Sequence, residues 1–349
     1  MACGQPGAGG RYDAGTAPVR CLTVPVVNLY PETPARRSLL SVSGGHVLQL
    51  YEWGDPHGQP ALLLHGGPGS GLSPSLARCL NPQHYRIIGL DQRGAGRSTP
   101  SGGIAHNGTA ELLADLRLLR EHLGIARWLV VGGSWGATLA LLHAADTPAA
   151  VTGLLLRGVF LARQQDVDDF FAVEPPGFGA AWQPWRDAAV RAGRPWVEQL
   201  DHWMQHGTPA EQAALAQVWW RFEQAMDGPV PSQTPEAATL LARYRVQAHF
   251  LRHGCGLRDT PLLQRLAALP VVPTLLLHGA EDRICPLAGA VAVQAGLPHA
   301  RLRLVELAGH APTHPALTAA LLLALANFAA HGQFDAVDAA DPVDPVDLA

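Results

Sequence analysis

The sequence has no lysine: all 25 of its basic residues are arginine. That absence excludes a Schiff-base mechanism, which needs a lysine amine. It also removes the P-loop reading of the glycine-rich segment ending at Gly71, since Leu72 stands where that motif requires Lys. Cysteine is scarce. Cys3, Cys21, Cys79, Cys255 and Cys285 are odd in number, scattered, and form no C-x-x-C pair, so neither a disulfide framework nor a zinc site is expected. Basic runs are missing and the formal net charge is −4, which argues against a nucleic-acid partner. The longest apolar stretch, residues 316–330, is interrupted by Thr318 and Asn327 and falls short of a membrane span. The opening Met-Ala-Cys-Gly-Gln-Pro carries no charged or apolar leader pattern. A cytoplasmic protein with no membrane partner is the expectation.

What is present is an alternation of short apolar runs and helical patterns. The 349 residues are 48% hydrophobic, enough to bury one large core. Alternating apolar residues over 42–53 suggest a hairpin. Apolar runs at 61–64, 85–90, 127–131, 154–156, 271–277 and 302–307 have the pattern of strands buried on both faces. Leu112, Leu113, Leu116, Leu119 and Leu123 fall on one face of a helix over 110–123. Between about 160 and 256 the composition shifts to Trp, Gln, Arg and Asp. Its apolar spacing is helical (Trp196, Leu200, Trp203, Met204; Val218, Trp219, Phe222, Met226), with prolines between the pieces.

The chemistry gathers at Gly132-Gly-Ser-Trp-Gly136. A strand that turns at once into a helix needs near-absent side chains where the backbones meet, which Gly132 and Gly136 supply. The turn lifts the Ser134 hydroxyl clear of the sheet at a helix N-terminus. A serine nucleophile needs a base, and the base an orienter, in the chain order Ser…Asp…His. Asp282 follows one late strand and His310 the next. Glu281 adjoins Asp282 but its side chain diverges from it, and His314 follows Pro312 nearer the closing helix, so Asp282 and His310 are preferred. His65-Gly-Gly-Pro-Gly69 reads as an oxyanion loop, with the N–H groups of Gly67 and Trp135 facing the developing charge; His65 itself reads as structural. Asp91 and Arg93 read as braces between loops.

With these residues in place, the chain resembles the prolyl aminopeptidase (proline iminopeptidase) family of α/β-hydrolases. The segments that carry the likeness are His65-Gly-Gly-Pro-Gly69, Asp91-Gln-Arg-Gly-Ala-Gly-Arg-Ser98, Gly132-Gly-Ser-Trp-Gly-Ala-Thr-Leu-Ala-Leu141, Leu156-Arg-Gly-Val-Phe160 and His278-Gly-Ala-Glu-Asp282. The resemblance implies an α/β-hydrolase fold, a mostly parallel sheet flanked by helices, with a helical cap insertion. The core would span 29–159 and 257–332 and the cap 160–256, with a flexible arm over 1–28 and a disordered acidic tail over 333–349. It implies release of N-terminal proline from small peptides or aminoacyl amides, without metal or organic cofactor. Phe160 and Phe171 would line the pocket. Glu223 would bind the substrate's cationic nitrogen. Two positions depart from the family pattern: Phe171 stands where a tyrosine is expected, and Gln247 where a second amine-binding glutamate is expected. An esterase or amidase for neutral substrates stays open as a rival on the same scaffold. A non-catalytic binding protein is the rival from another class.

Overall fold

The computed structural model describes residues 30, 33–175, 178 and 181–335. The expected arm and all but three residues of the expected tail lie outside them.

The strands are β1 (Arg36–Ser41), β2 (Val47–Gly54), β3 (Gln59–Leu64), β4 (Tyr85–Leu90), β5 (Trp128–Gly133), β6 (Val151–Arg157), β7 (Thr274–Gly279) and β8 (Ala300–Val305). They form one sheet in the order β1-β2-β4-β3-β5-β6-β7-β8. The first two pairings, β1 with β2 and β2 with β4, are antiparallel, and the rest are parallel. The hairpin expected over 42–53 is the β1–β2 pair, begun earlier in the chain. Two late strands also shift from their expected bounds. Pro273 has no N–H to give a ladder, so β7 starts at Thr274 rather than 271. Leu307 has φ 57, outside the extended region, so β8 has ended by Val305.

The period-two pattern of the buried strands sorts their side chains into two cores. Leu62, Leu64, Ile88, Leu90 and Val130 face one layer, and Ala61, Leu63, Ile87, Leu129 and Val131 the other. Helices before and between the strands cover both faces: α1 (Pro74–Ala77), α2 (Thr109–His122) and α3 (Trp135–Asp146). Leu112, Leu116 and Leu119 of α2 and Leu139 and Leu142 of α3 join the first core.

Between β6 and β7 the chain leaves the sheet and builds the helical insertion. It contains α4 (Gln164–Ala172), α5 (Gln183–Ala192), α6 (Trp196–His206), α7 (Pro209–Asp227) and α8 (Ala237–Arg252). α7 is well specified at its start. Thr208 accepts from the Glu211 N–H, Glu211 answers the Thr208 N–H, and Pro209 takes the first helical position. Phe171, Trp182, Trp196, Trp219 and Phe222 meet edge-on or stacked inside the insertion, an aromatic cluster continuous with the first core. The chain then returns through α9 (Leu262–Arg265), α10 (Leu287–Gly296) and α11 (Pro315–His331). α11 lays Leu317, Leu321, Leu325 and Phe328 on the second core. Among the described residues, no helix is long and apolar enough to cross a membrane.

Candidate active site

The sheet sets the place of the site. From β3 the chain steps to β4 on one side, and β5 lies on the other, so the connections leaving the C-terminal ends of β3 and β5 run in opposite directions. Such a switch point opens a crevice. β3 runs into His65-Gly66-Gly67 there and β5 into Ser134, with Leu64 paired to Gly132.

Ser134 has φ 57 and ψ −125, a backbone conformation that costs a non-glycine residue energy and is kept where surrounding packing enforces it. The packing is tight. A Cβ on Gly132 would lie 2.2 Å from the Gly136 carbonyl oxygen, and one on Gly136 would lie 2.2 Å from that of Leu64. No side chain fits at either position, so the G-x-S-x-G spacing follows from strand, turn and helix touching. The Ser134 N–H donates to the Arg157 carbonyl at 2.9 Å. Trp135 follows in the first turn of α3, where backbone N–H groups have no intrahelical acceptor. Gly67 has φ 111 on the facing loop.

Asp282 and His310 meet as the spacing predicted, with His310 Nδ1 2.7 Å from Asp282 Oδ2. The other oxygen of Asp282 accepts from the backbone N–H groups of Ile284 at 2.9 Å and Cys285 at 2.8 Å. Burial pushes the Asp282 carboxyl up, but the His310 ring and these donors outweigh it and hold the group below its ordinary range. Glu281 is exposed beside it. Gly158 makes the pairing possible. It has φ 52, and a Cβ there would come within 3.0 Å of both Asp282 Oδ2 and His310 Cε1.

The backbone of His310 is held from two sides. Its N–H donates to Asp227 Oδ1 at 2.5 Å, and its carbonyl accepts from Arg157 Nη1. Ser134, His310, Glu223, Arg243 and Gln247 line one cavity of about 300 Å³. The Ser134 hydroxyl is hydrogen-bonded there to the Cys285 thiol, Oγ to Sγ 3.8 Å, and not to the His310 ring. Nucleophile–base bonds are often loose in ligand-free sites and tighten with substrate.

A smaller cavity of about 50 Å³ opens beside Ser134, walled by Phe160, Val167, Phe170, Leu251 and Ile284. Phe160 is where the resemblance puts it. Phe171 is not: it lies in the aromatic cluster of the insertion, 4% exposed, and Phe170 lines the cavity in its place. Successive helical residues point about 100° apart, and the sequence alone left the phase of this short helix open.

Glu223 and Gln247 both reach the larger cavity, but not as free groups. Glu223 Oε2 accepts from Arg243 Nη2 at 2.5 Å and from the Tyr244 hydroxyl at 2.9 Å. Its Oε1 accepts from Gln247 Nε2 at 2.8 Å.

The remaining expectations fall into place as structure. His65 is buried, its Nε2 accepts from the Gln92 N–H at 2.9 Å, and its Nδ1 faces the Gly66 carbonyl at 2.8 Å. Asp91 accepts from Leu72 N, Arg97 N and the Tyr51 hydroxyl, and Arg93 forks onto Asp115. Sequence reasoning missed Arg157, Asp227, Arg243 and Cys285. Only Cys285 had a local signal, three residues past Asp282 on the same loop.

Comparison with known proteins agrees with this fold. The model of the alpha/beta hydrolase fold matches residues 60–314. An esterase from Rhodococcus sp. ECU1013 superposes with a TM-score of 0.56 at 17% identity, covering 84% of this chain and 98% of that one, a likeness of fold alone. Proline iminopeptidase of Xanthomonas citri is 36% identical over 310 residues, 86% of this chain and 99% of its own. That of Arabidopsis thaliana is 36% identical over 307 residues, 84% of this chain and 80% of its own. The chain belongs to the proline iminopeptidase family of α/β-hydrolases.

Proposed function

We propose that this chain is a serine aminopeptidase that releases proline from the N-terminus of small peptides or aminoacyl amides, through an acyl-enzyme on Ser134. Ser134 Oγ attacks the scissile carbonyl while His310 Nε2 takes its proton. Asp282 holds the Nδ1–H of the imidazole and stabilises the imidazolium that forms. The N–H groups of Gly67 and Trp135 receive the oxyanion. Collapse of the tetrahedral species expels the amine, which takes the proton back from His310. Water, activated by the same histidine, then releases proline and restores the serine.

The observation that carries this reading is one cavity lined by Ser134, His310 and Glu223, with Asp282 bonded to His310 behind it. The small apolar recess with Phe160 suits a five-membered ring, and Glu223 suits the ring nitrogen. The relatives' shared name points to the same bond. A cytoplasmic setting fits the free, buried thiols of Cys79, Cys255 and Cys285.

A second reading, an esterase or amidase for uncharged acyl groups, is favoured by one observation: Glu223 already holds an arginine. Hydrolysis of prolyl 4-nitroanilide by wild type and by Ser134→Ala tests the main proposal. The variant should keep its melting temperature and lose on the order of 10⁴-fold in kcat. Loss below tenfold in a folded variant would move the nucleophile elsewhere.

A further inference from the structure

Arg243 stands on α8 one turn before Gln247 and projects into the same cavity as Ser134. Its guanidinium is charged at every working pH, and it lies 2.5 Å from Glu223 Oε2. An ionised carboxylate offers about four acceptor positions, and three on Glu223 are already taken by Arg243, Tyr244 and Gln247. Tyr244 is fully buried and cannot yield. Gln247 is buried as well, whereas the Arg243 side chain is 26% exposed. The helix carrying it is locked to the oxyanion loop: a Cβ on Gly69 would lie 2.6 Å from the Arg243 carbonyl oxygen. The guanidinium thus occupies the carboxylate read above as meeting the nitrogen of a bound N-terminal residue.

We propose that Arg243 is a specificity-determining residue that acts as the resident counter-ion of Glu223, so that this site accepts proline-sized acyl groups with or without a positive charge. The inference rests on the reading of Glu223 as the wall that meets the substrate's nitrogen. A substrate ammonium must share Glu223 with a guanidinium or displace it, and gains less than it would from a free carboxylate. An acyl group of the same shape without the charge leaves the ion pair intact and strands no buried carboxylate, which would be the costly outcome. The class of ligand implied is prolyl together with cyclopentanecarbonyl amides and esters.

The test measures binding, apart from chemistry. Calorimetric affinities of prolinamide and cyclopentanecarboxamide are compared in the otherwise wild-type protein, Arg243→Gln, Arg243→Met and Arg243→Lys, each carrying Ser134→Ala so that neither amide is hydrolysed, and each checked by its melting curve. Wild type should bind the two amides within about threefold of each other. Arg243→Gln and Arg243→Met should each shift the ratio toward prolinamide by on the order of tenfold, the difference between a charged and a neutral hydrogen-bond partner. Arg243→Lys should keep the wild-type ratio. Unchanged ratios in whichever neutral variant folds, a wild type that already prefers prolinamide strongly, or no binding of either amide by any of the proteins overturns the inference. Turnover of prolyl 4-nitroanilide is scored separately, with Ser134 in place. Binding of both amides in the stated ratio without release of nitroaniline by the Ser134 protein contradicts the aminopeptidase reading and leaves the counter-ion role standing.

Discussion

Asp282 shows how much a single residue does here. Its side chain is 1% exposed, and it stays ionised because an imidazole and two backbone N–H groups face it. A carboxyl whose folded pKa lies below its unfolded value binds protons less readily in the native state. Its contribution to stability is full above the unfolded value and disappears as pH falls through the folded one. Asp282→Asn should therefore flatten the acid side of the stability curve. Melting temperatures taken from about pH 7 to pH 3, around the ordinary carboxylate range, should fall less steeply in the variant than in wild type; equal slopes would contradict the account. Activity should drop on the order of 10⁴-fold, since the amide cannot hold the imidazole in the required tautomer. Asp282 and His310 were legible in the sequence because each follows a strand, and strand order fixes which loops converge. Arg243 was not legible. Its bond to Glu223 joins two helices of the insertion across 20 positions, where no strand frame gives a register.

At the scale of the element, α7 joins the cavity to the His310 loop. Glu223 and Asp227 are four residues apart, which puts them on one face of the helix. The first faces the cavity, and the second takes the His310 N–H at 2.5 Å. With Arg157 on the His310 carbonyl, the loop carrying His310 is held between the insertion and β6. Asp227→Ala should release one side of that hold and let the imidazole wander. A misplacement of about 1 Å can cost on the order of 100-fold in rate, so kcat for prolyl 4-nitroanilide should fall 10- to 100-fold by this reasoning, with KM nearly unchanged. Asp227→Asn keeps an acceptor at the same place and should recover most of the loss. A rise in KM with kcat intact would mean that Asp227 shapes the pocket instead of the base. Helical spacing over 209–227 was readable from Val218, Trp219, Phe222 and Met226, all turned inward or against the core. What Glu223 and Asp227 meet beside that stripe was not, because periodicity says which residues are buried and not what they bury against. The resemblance put Phe171 at the pocket, where Phe170 stands.

In the whole molecule, the parallel strands deliver the Ser134 turn, the loop over 65–69, Asp282 and His310 to one edge of the sheet, and the insertion between β6 and β7 closes over them. The two apolar faces of the strands made that architecture readable, because each face demands its own helical layer. Loop chemistry at the switch point then had one place to go. What the pattern of hydrophobicity could not give is the charge balance inside the roof, which depends on side chains meeting from separate helices. Covalent catalysis at Ser134 on a prolyl group is tested by catching the intermediate. Wild type mixed with prolyl 4-nitrophenyl ester and quenched in acid within the first turnover should carry one prolyl group, mapped by peptide mass spectrometry to the segment containing Ser134. The Ser134→Ala protein should carry none. A prolyl adduct on another residue, or release of proline by Ser134→Ala at the wild-type rate, would contradict the account.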